Sequence, residues 1–253
     1  MPELATVQSQ FDRFDLVSRI GAREDRELCV MSFVAMLAGE RHTDRPATAC
    51  PVIAVYVIKI NDAIDCDTRQ ELKPLAVRIM GTNDGRQRER AWVLARECVN
   101  DVFARQMEDG GASGDIVSRL PRLPMRIDNS FEYKELSRTL QDIGRKYHVP
   151  RNCLYDLRYL LRALENHRDE LVASAEAVMM IDCARLKHSP VAENPYWTKA
   201  IDMFSRLCDV GDGERAPVPV IEERLMAEAN RDRMAATYAP MLLWLLPKLR
   251  KSV

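Results

Sequence analysis

The chain has 253 residues, of which 47% are hydrophobic and 30% are charged, with 10 glycines and 13 prolines. This composition is typical of a folded globular protein and excludes collagen-like and wholly disordered chains. Thirty-seven lysines and arginines balance 38 aspartates and glutamates. Because the net charge is only −1, no global field steers the chain onto nucleic acid or an anionic membrane, and any such binding has to be local.

The seven cysteines predict a reduced, cytoplasmic protein. They are odd in number, widely spaced and never arranged as CxxC, so they suit neither a disulfide framework nor a zinc ribbon. Residues 1–10 lack the charged leader and apolar stretch of a secretory signal. The longest apolar stretches, 28–38 and 52–58, are shorter than the roughly 20 residues that cross a bilayer, and we expect no transmembrane segment.

Helical periodicity dominates the chain, because apolar residues recur at spacings of three and four in almost every segment. We therefore predict an all-α fold, a multi-helix bundle in two helical parts. Residues 1–22 are expected to form a flexible N-terminal segment, 23–108 an N-terminal helical domain and 130–253 a C-terminal helical domain. The stretch 109–129 contains glycines and prolines but few large apolar residues, and it is the predicted linker.

The first ambiguous element covers residues 52–60. The segment is so rich in β-branched residues that intrinsic propensity favours a buried strand. However, Pro51 suits the first position of a helix, and no partner strands are recognisable elsewhere in the chain. We therefore predict a helix here, with a strand as the alternative.

Residues 87–106 form the clearest helical pattern. Apolar residues recur at spacings of three and four: Trp92, Ala95, Val99 and Val102. Charged residues occupy another face: Arg90, Glu97, Asp101 and Arg105. Such a division between an apolar and a charged face predicts an amphipathic surface helix, with its charged residues in solvent.

The C-terminal part opens with a predicted helix over 131–147. Val149 and Pro150 end it, because a proline moves the preceding residue out of the helical region. Residues 154–178 carry an apolar seam with a polar interruption at 166–168, and either one long helix or a hairpin fits. Further helices are predicted over 195–208 and 220–238, and an apolar piece follows over 241–246.

A polar, titratable run at 39–46 lies between two strongly apolar segments, and loops held between core elements often carry sites. Four residues of this region have side chains suited to metal binding or proton transfer: Glu40, His42, Asp44 and Asp62. No zincin, EF-hand or deaminase spacing is present, so we assign no metal site and keep these four as candidate catalytic residues. The alternative is structural: Gly39 ends a helix, Asp44 caps a turn, and the other carboxylates pair with arginines.

The same region contains an extended pattern: Cys29-x-Met31, Ala38-Gly39-Glu40-x-x-Thr43-Asp44-x-Pro46, Pro51-Val52-Ile53 and Asn61-Asp62. In this pattern the chain resembles a family of uncharacterised bacterial proteins. The resemblance covers roughly the first third of the chain. It implies a recurring unit, but no function and no catalytic residue.

Residues 139–162 place a small residue, Gly144, inside one helix and an apolar residue, Val149, after a tight turn, so that a second helix can cross the first. This pattern is similar to the helix-turn-helix of DNA-binding proteins. The turn position that this motif usually gives to glycine is His148 here, and histidine tolerates a positive φ better than most other residues.

The resemblance implies a recognition helix whose exposed face carries four residues: Arg151, Asn152, Tyr155 and Arg158. Arginine suits the edge of guanine and asparagine the edge of adenine. Residues 138–168 carry seven arginines and lysines against three aspartates and glutamates, a local excess of positive charge that attracts phosphate. The alternative is an ordinary hairpin of two helices, whose leucines pack into the bundle and whose arginines are solvated.

Three functions follow from these patterns. The first is a cytoplasmic interaction or adaptor protein that uses helix faces and self-associates, without a cofactor. The second is a DNA-binding regulator that uses the helix-turn-helix at 139–162. The third is a metal- or ligand-binding enzyme centred on residues 40–62. Because every strong feature of the sequence is structural, we favour the non-enzymatic adaptor.

Overall fold

The computed structural model describes residues 11–22, 25–121, 123, 130–165, 170–185 and 195–215. Two predicted elements, 220–238 and 241–246, lie outside the described residues. The helices are α1 (Val30–Leu37), α2 (Pro51–Ala63), α3 (Cys66–Gln70), α4 (Lys73–Ile79), α5 (Gln87–Glu97), α6 (Ala104–Asp109), α7 (Gly114–Val117), α8 (Ser130–Lys146), α9 (Arg151–Glu165), α10 (Glu170–Arg185) and α11 (Pro195–Asp209).

The prediction of a mostly helical fold is confirmed. A π-helical segment, Cys98–Phe103, joins α5 to α6, and a 3-10 turn, Asp212–Glu214, follows α11. Residues 154–178 contain most of α9 and part of α10, and these two helices pack closely against each other. Within the described residues, no helix has both the length and the apolar character that a membrane span requires.

A small sheet that was not predicted from the sequence precedes α1. Its strands are β1 (Asp15–Leu16), β2 (Gly21–Ala22) and β3 (Glu27–Leu28), in the order β1-β3-β2. β3 runs parallel to β1 and antiparallel to β2. Strands of two residues are too short to show alternation of apolar and polar side chains, so they carry no periodic signal in the sequence. Phe14 and Leu16, from the segment expected to be flexible, lie in the core.

Residues 52–60 are helical, as predicted, within α2. Pro51 occupies the first helical position, where its missing N–H costs no hydrogen bond. Two long-range hydrogen bonds fix the helix in the bundle. The Tyr56 hydroxyl donates to the Ala200 carbonyl on α11 over 3.1 Å, and the Ser174 hydroxyl on α10 donates to the Val52 carbonyl over 2.8 Å.

Helix α10 lies at the centre of the bundle and packs against α9, α2, α5 and α11. Small buried residues on α10, Ala173, Ser174 and Ala177, allow neighbouring helices to approach closely. Buried residues from the first and the second predicted helical part therefore belong to one contiguous core. The packing of the two halves, which the sequence left open, is a shared interior built around α10.

Arg90 corrects the expectation that α5 exposes all its charged residues, because its side chain is fully buried. Its guanidinium donates from all five N–H groups. Two bonds reach the Asp84 carboxylate, from Nη1 over 2.6 Å and from Nη2 over 2.7 Å. The other three end on backbone carbonyls: Thr82 at 2.9 Å, Val210 at 2.8 Å and Leu207 at 3.1 Å. Arg90 therefore joins α5 to the 82–84 loop and to the C-terminal end of α11.

We expect Asp84→Asn to lower the free energy of unfolding by about 3 kcal/mol at pH 7, because it leaves a buried guanidinium without its counter-charge. Burial by itself raises the pKa of Asp84, but the hydrogen bonds from Arg90 and from the Arg86 N–H outweigh it and leave the pKa below its usual value. The carboxylate therefore stabilises the fold above the unfolded pKa of about 3.9, and this contribution is lost as the pH falls further. Urea unfolding at pH 7 and below about pH 4 measures the difference, which should shrink on acidification.

The control for this variant is Asp115→Asn, which removes the same charge from a carboxylate that is 84% exposed and pairs with the exposed Arg119. Exposed pairs contribute little, so this variant should unfold like the wild type. Equal stabilities for Asp84→Asn and Asp115→Asn at pH 7 would contradict the role given to Arg90.

The end of α6 makes a close backbone contact with the end of α8. A Cβ atom at Gly110 would lie 1.7 Å from the Tyr147 carbonyl oxygen, which is backbone and has no rotamer to move to. A Cβ atom at Gly114, in contrast, would meet nothing within 4 Å. The first glycine therefore permits the junction, whereas the second does not take part in it.

We expect Gly110→Ala to destabilise the protein by about 1–3 kcal/mol, the usual cost of forcing extra atoms into a packed site. Gly114→Ala should be neutral or stabilising by up to about 1 kcal/mol, because it only restricts the unfolded chain. Urea unfolding of both variants tests the contact. If the two alanine variants are equally stable, the approach of Gly110 to Tyr147 is not a constraint on the fold.

Candidate functional site

Glu40, the first candidate catalytic residue, lies in the loop after α1 and fixes that loop. Its carboxylate accepts the backbone N–H groups of Ala47 over 2.6 Å and Thr48 over 2.9 Å. Thr48 then accepts the N–H of Gly81 through its hydroxyl over 2.8 Å. Glu40 and Thr48 therefore form a structural junction between the loop before α2 and the loop after α4.

The other candidates of this region lie apart from such a junction. His42 is exposed and Asp44 is half-buried. Asp62 is exposed at the end of α2 and accepts the backbone N–H of Arg19 over 2.7 Å. Among the residues that the structure describes, no three histidines, cysteines or acidic residues come together in a way that could hold a metal ion. The carboxylates of Glu40 and Asp62 each accept hydrogen bonds from backbone N–H groups instead.

Most of the described thiols are buried in the core. Six described cysteines are free, as predicted, and five of them are buried. Burial raises the pKa of Cys98 and raises that of Cys208 to about 12. Both thiols are therefore protonated at neutral pH, and the protonated form is a poor nucleophile.

The α8-turn-α9 unit has three local features that the sequence pointed to. His148 adopts φ 55° in the turn, the left-handed region that its predicted place required. Val149, after it, is buried. A Cβ atom on Gly144 would lie 2.5 Å from Leu154 and 2.9 Å from Phe103, so a small residue is needed for α8 to pack against α9 and the π segment.

Helix α9 divides cleanly into a buried and an exposed face. Its leucines and Cys153 are buried against the rest of the bundle. The four predicted nucleic-acid contacts are all exposed: Arg151, Asn152, Tyr155 and Arg158. Tyr155 is 57% exposed, and its ring lies 4.4 Å from that of Tyr159. The structure thus brings these four residues together on one helix face.

The exposed face of α9 forms one wall of a groove that we call the basic cleft. Six cationic side chains line it. Helix α8 contributes Lys134, Arg138 and Arg145, and helix α9 contributes Arg151, Arg158 and Arg162. Two adjoining cavities, of about 610 Å³ and about 720 Å³, make up the cleft. The α8 wall was missed in the sequence, although its cations recur at helical spacing (134, 138 and 145) on the polar side of the predicted helix.

Two polar contacts hold the walls of the basic cleft together. The Gln141 amide on α8 donates to the Leu154 carbonyl, and the Tyr133 hydroxyl donates to the Arg158 carbonyl over 3.3 Å. The two contacts are eight residues apart on α8 and four residues apart on α9, so they fix the helices to each other at two separate points. The cleft is therefore a groove whose walls are held in place in the folded protein.

The charge of the basic cleft is largely uncompensated. Within the described part of the chain, Lys134, Arg138, Arg151 and Arg158 form no ion pair, and the one carboxylate that lines either cavity belongs to Glu165. Arg145 pairs with Asp142 of its own helix over 2.8 Å. Such a groove can hold an anionic ligand, because unpaired arginines and lysines donate charge-assisted hydrogen bonds to phosphate or carboxylate oxygens.

No family model, curated protein or solved structure was found to match this chain.

Proposed function

We propose that the protein binds double-stranded DNA through the basic cleft, with the exposed face of α9 directed to the bases. The observation that carries this proposal is the groove itself, in which six cations from two helices face a space of more than 600 Å³ with a single carboxylate. Phosphate contacts supply most of the affinity of such proteins for DNA. The place of action that we propose is the cytoplasm, in keeping with the free thiols of the described cysteines.

The chemistry of α9 favours DNA over a small anion. Arg151 can donate two hydrogen bonds to guanine, and Asn152 beside it can pair with the edge of adenine. Tyr155 adds an exposed aromatic face next to them. A site for a small anion needs only cations, whereas this helix face adds groups that distinguish one base from another.

We expect the protein to bind duplex DNA with an affinity that falls steeply with salt, by a slope of about −0.9 in log K against log salt for each phosphate contact. The double variant Arg151→Gln and Arg158→Gln should weaken binding by at least about tenfold, because two contacts are removed. Fluorescence anisotropy with a labelled duplex, titrated at several salt concentrations, measures both effects.

The matched control removes two positive charges elsewhere, by Arg105→Gln and Arg119→Gln. Arg105 pairs with Asp109 over 3.3 Å and Arg119 with Asp115 over 3.5 Å, and neither lines the cleft. This variant should bind like the wild type. The proposal fails if the wild type shows no salt-dependent binding, or if both double variants lose the same affinity. Tighter binding to single strands than to the duplex would assign the cleft to unpaired nucleic acid instead.

A protein-interaction function is the second candidate, and exposed apolar residues on α10 favour it. Val172 and Met179 lie two turns apart on the same side of the helix and are 41% and 44% exposed, and Leu171 beside them is 46% exposed. Exposed apolar residues that line up on one helix face are typical of protein contacts. We propose that this face supports self-association.

We expect the double variant Val172→Lys and Met179→Lys to reduce self-association, because two charges would have to be desolvated in the interface. Sedimentation velocity over a range of protein concentrations measures the effect. Ile20→Lys, at a position that is 43% exposed in another part of the molecule, is the control. A wild type that remains monomeric at the highest concentration would contradict this second candidate.

A further inference from the structure

We infer that the half of the basic cleft farther from the turn is a phosphate-binding subsite, which holds the DNA backbone while the half near the turn faces the bases. This inference rests on the proposed function and deepens it. We call this half the distal subsite and define it by Lys134, Arg138, Arg162 and Glu165. None of these residues was predicted from the sequence to belong to a site.

The geometry of the distal subsite fits a phosphate chain. Lys134 and Arg138 are one helical turn apart on α8, and Arg162 faces the same cavity from α9, one turn after Arg158. Cations thus face one cavity of about 610 Å³ from both walls, so a phosphate chain in it can receive charge-assisted hydrogen bonds from α8 and from α9.

The chemistry of the two halves differs. The half near the turn contains Asn152 on its helix face and Tyr155 in its lining, which can distinguish bases. In the distal subsite the comparable polar groups already have intramolecular tasks, since the Tyr133 hydroxyl bonds to the Arg158 carbonyl and Ser137 is buried. What the distal subsite presents to a ligand is therefore positive charge, which positions the backbone and carries no sequence information.

Glu165 makes the inference testable by a gain of affinity. It is the one acidic residue among the described residues that line the distal cavity, and it is partly exposed. If a phosphate chain occupies the subsite, this carboxylate repels it. Glu165→Gln should therefore bind DNA about three- to tenfold more tightly, a result that a damaged fold cannot imitate.

The experiment compares four variants by anisotropy with a duplex at several salt concentrations, and by selection of preferred sites from random duplexes. The double variant Lys134→Gln and Arg138→Gln should lose about two units of salt slope and at least about tenfold in affinity at 0.1 M salt, with an unchanged site preference. Asn152→Ala should instead relax the preference at one position with the slope retained. Glu165→Gln should gain affinity, and Glu108→Gln on α6 is its control.

The outcomes separate this inference from the proposed function. If the wild type does not bind DNA, the proposed function fails and the inference with it. If the wild type binds DNA but Lys134→Gln with Arg138→Gln keeps the wild-type slope, or Glu165→Gln shows no gain over Glu108→Gln, the distal subsite alone is overturned. Thermal unfolding of each variant verifies that the fold is intact, so a loss of binding reports on the cleft.

Discussion

The buried guanidinium of Arg90 is the interaction on which the arrangement of the bundle depends. A charge without solvent contact has to be paired and fully hydrogen-bonded, and all five N–H groups of Arg90 find acceptors. Two of these acceptors, the carbonyls of Leu207 and Val210, belong to the end of α11 and to the turn after it, so the same side chain satisfies backbone groups that the helix itself leaves free. Loss of any of these acceptors would lower the free energy of unfolding, because the buried charge would no longer be fully hydrogen-bonded.

The position of the basic cleft follows from this constraint through a chain of packed helices. Arg90 holds α11 against α5, and α11 packs with α2 and α10. Helix α10 then buries the apolar face of α9, and α8 packs through Gly144 against Phe103 of the π segment. Both walls of the cleft are therefore anchored in the core, and the cations of the cleft project from helices whose other faces are immobilised. This rigidity lowers the entropic cost of binding an extended ligand.

Helix existence could be predicted from the sequence, and so could the tight turn at His148, because both depend on local periodicity and turn chemistry. The burial of Arg90 could not be predicted, because its partners are backbone carbonyls that only folding brings together: those of Thr82, Leu207 and Val210. The β1-β3-β2 sheet and the π segment were missed because neither leaves a periodic signal over so few residues. The α9 wall of the cleft could be predicted because it follows a recognisable turn. The α8 cations belong to no motif, and only the packing of the two helices places these cations opposite α9.

The neutral composition of the chain conceals the cleft, because several of the described arginines elsewhere pair with nearby carboxylates. Examples are Arg78 with Asp209, Arg86 with Glu214 and Arg206 with Glu97. In the cleft, four cations that form no ion pair within the described part of the chain line one groove, and their mutual repulsion costs stability unless an anion enters: Lys134, Arg138, Arg151 and Arg158. At 0.1 M salt, screening confines such a field to about 10 Å. The cleft therefore acts on a ligand at contact range, so its affinity depends on the number of phosphates that fit between the two walls rather than on long-range steering.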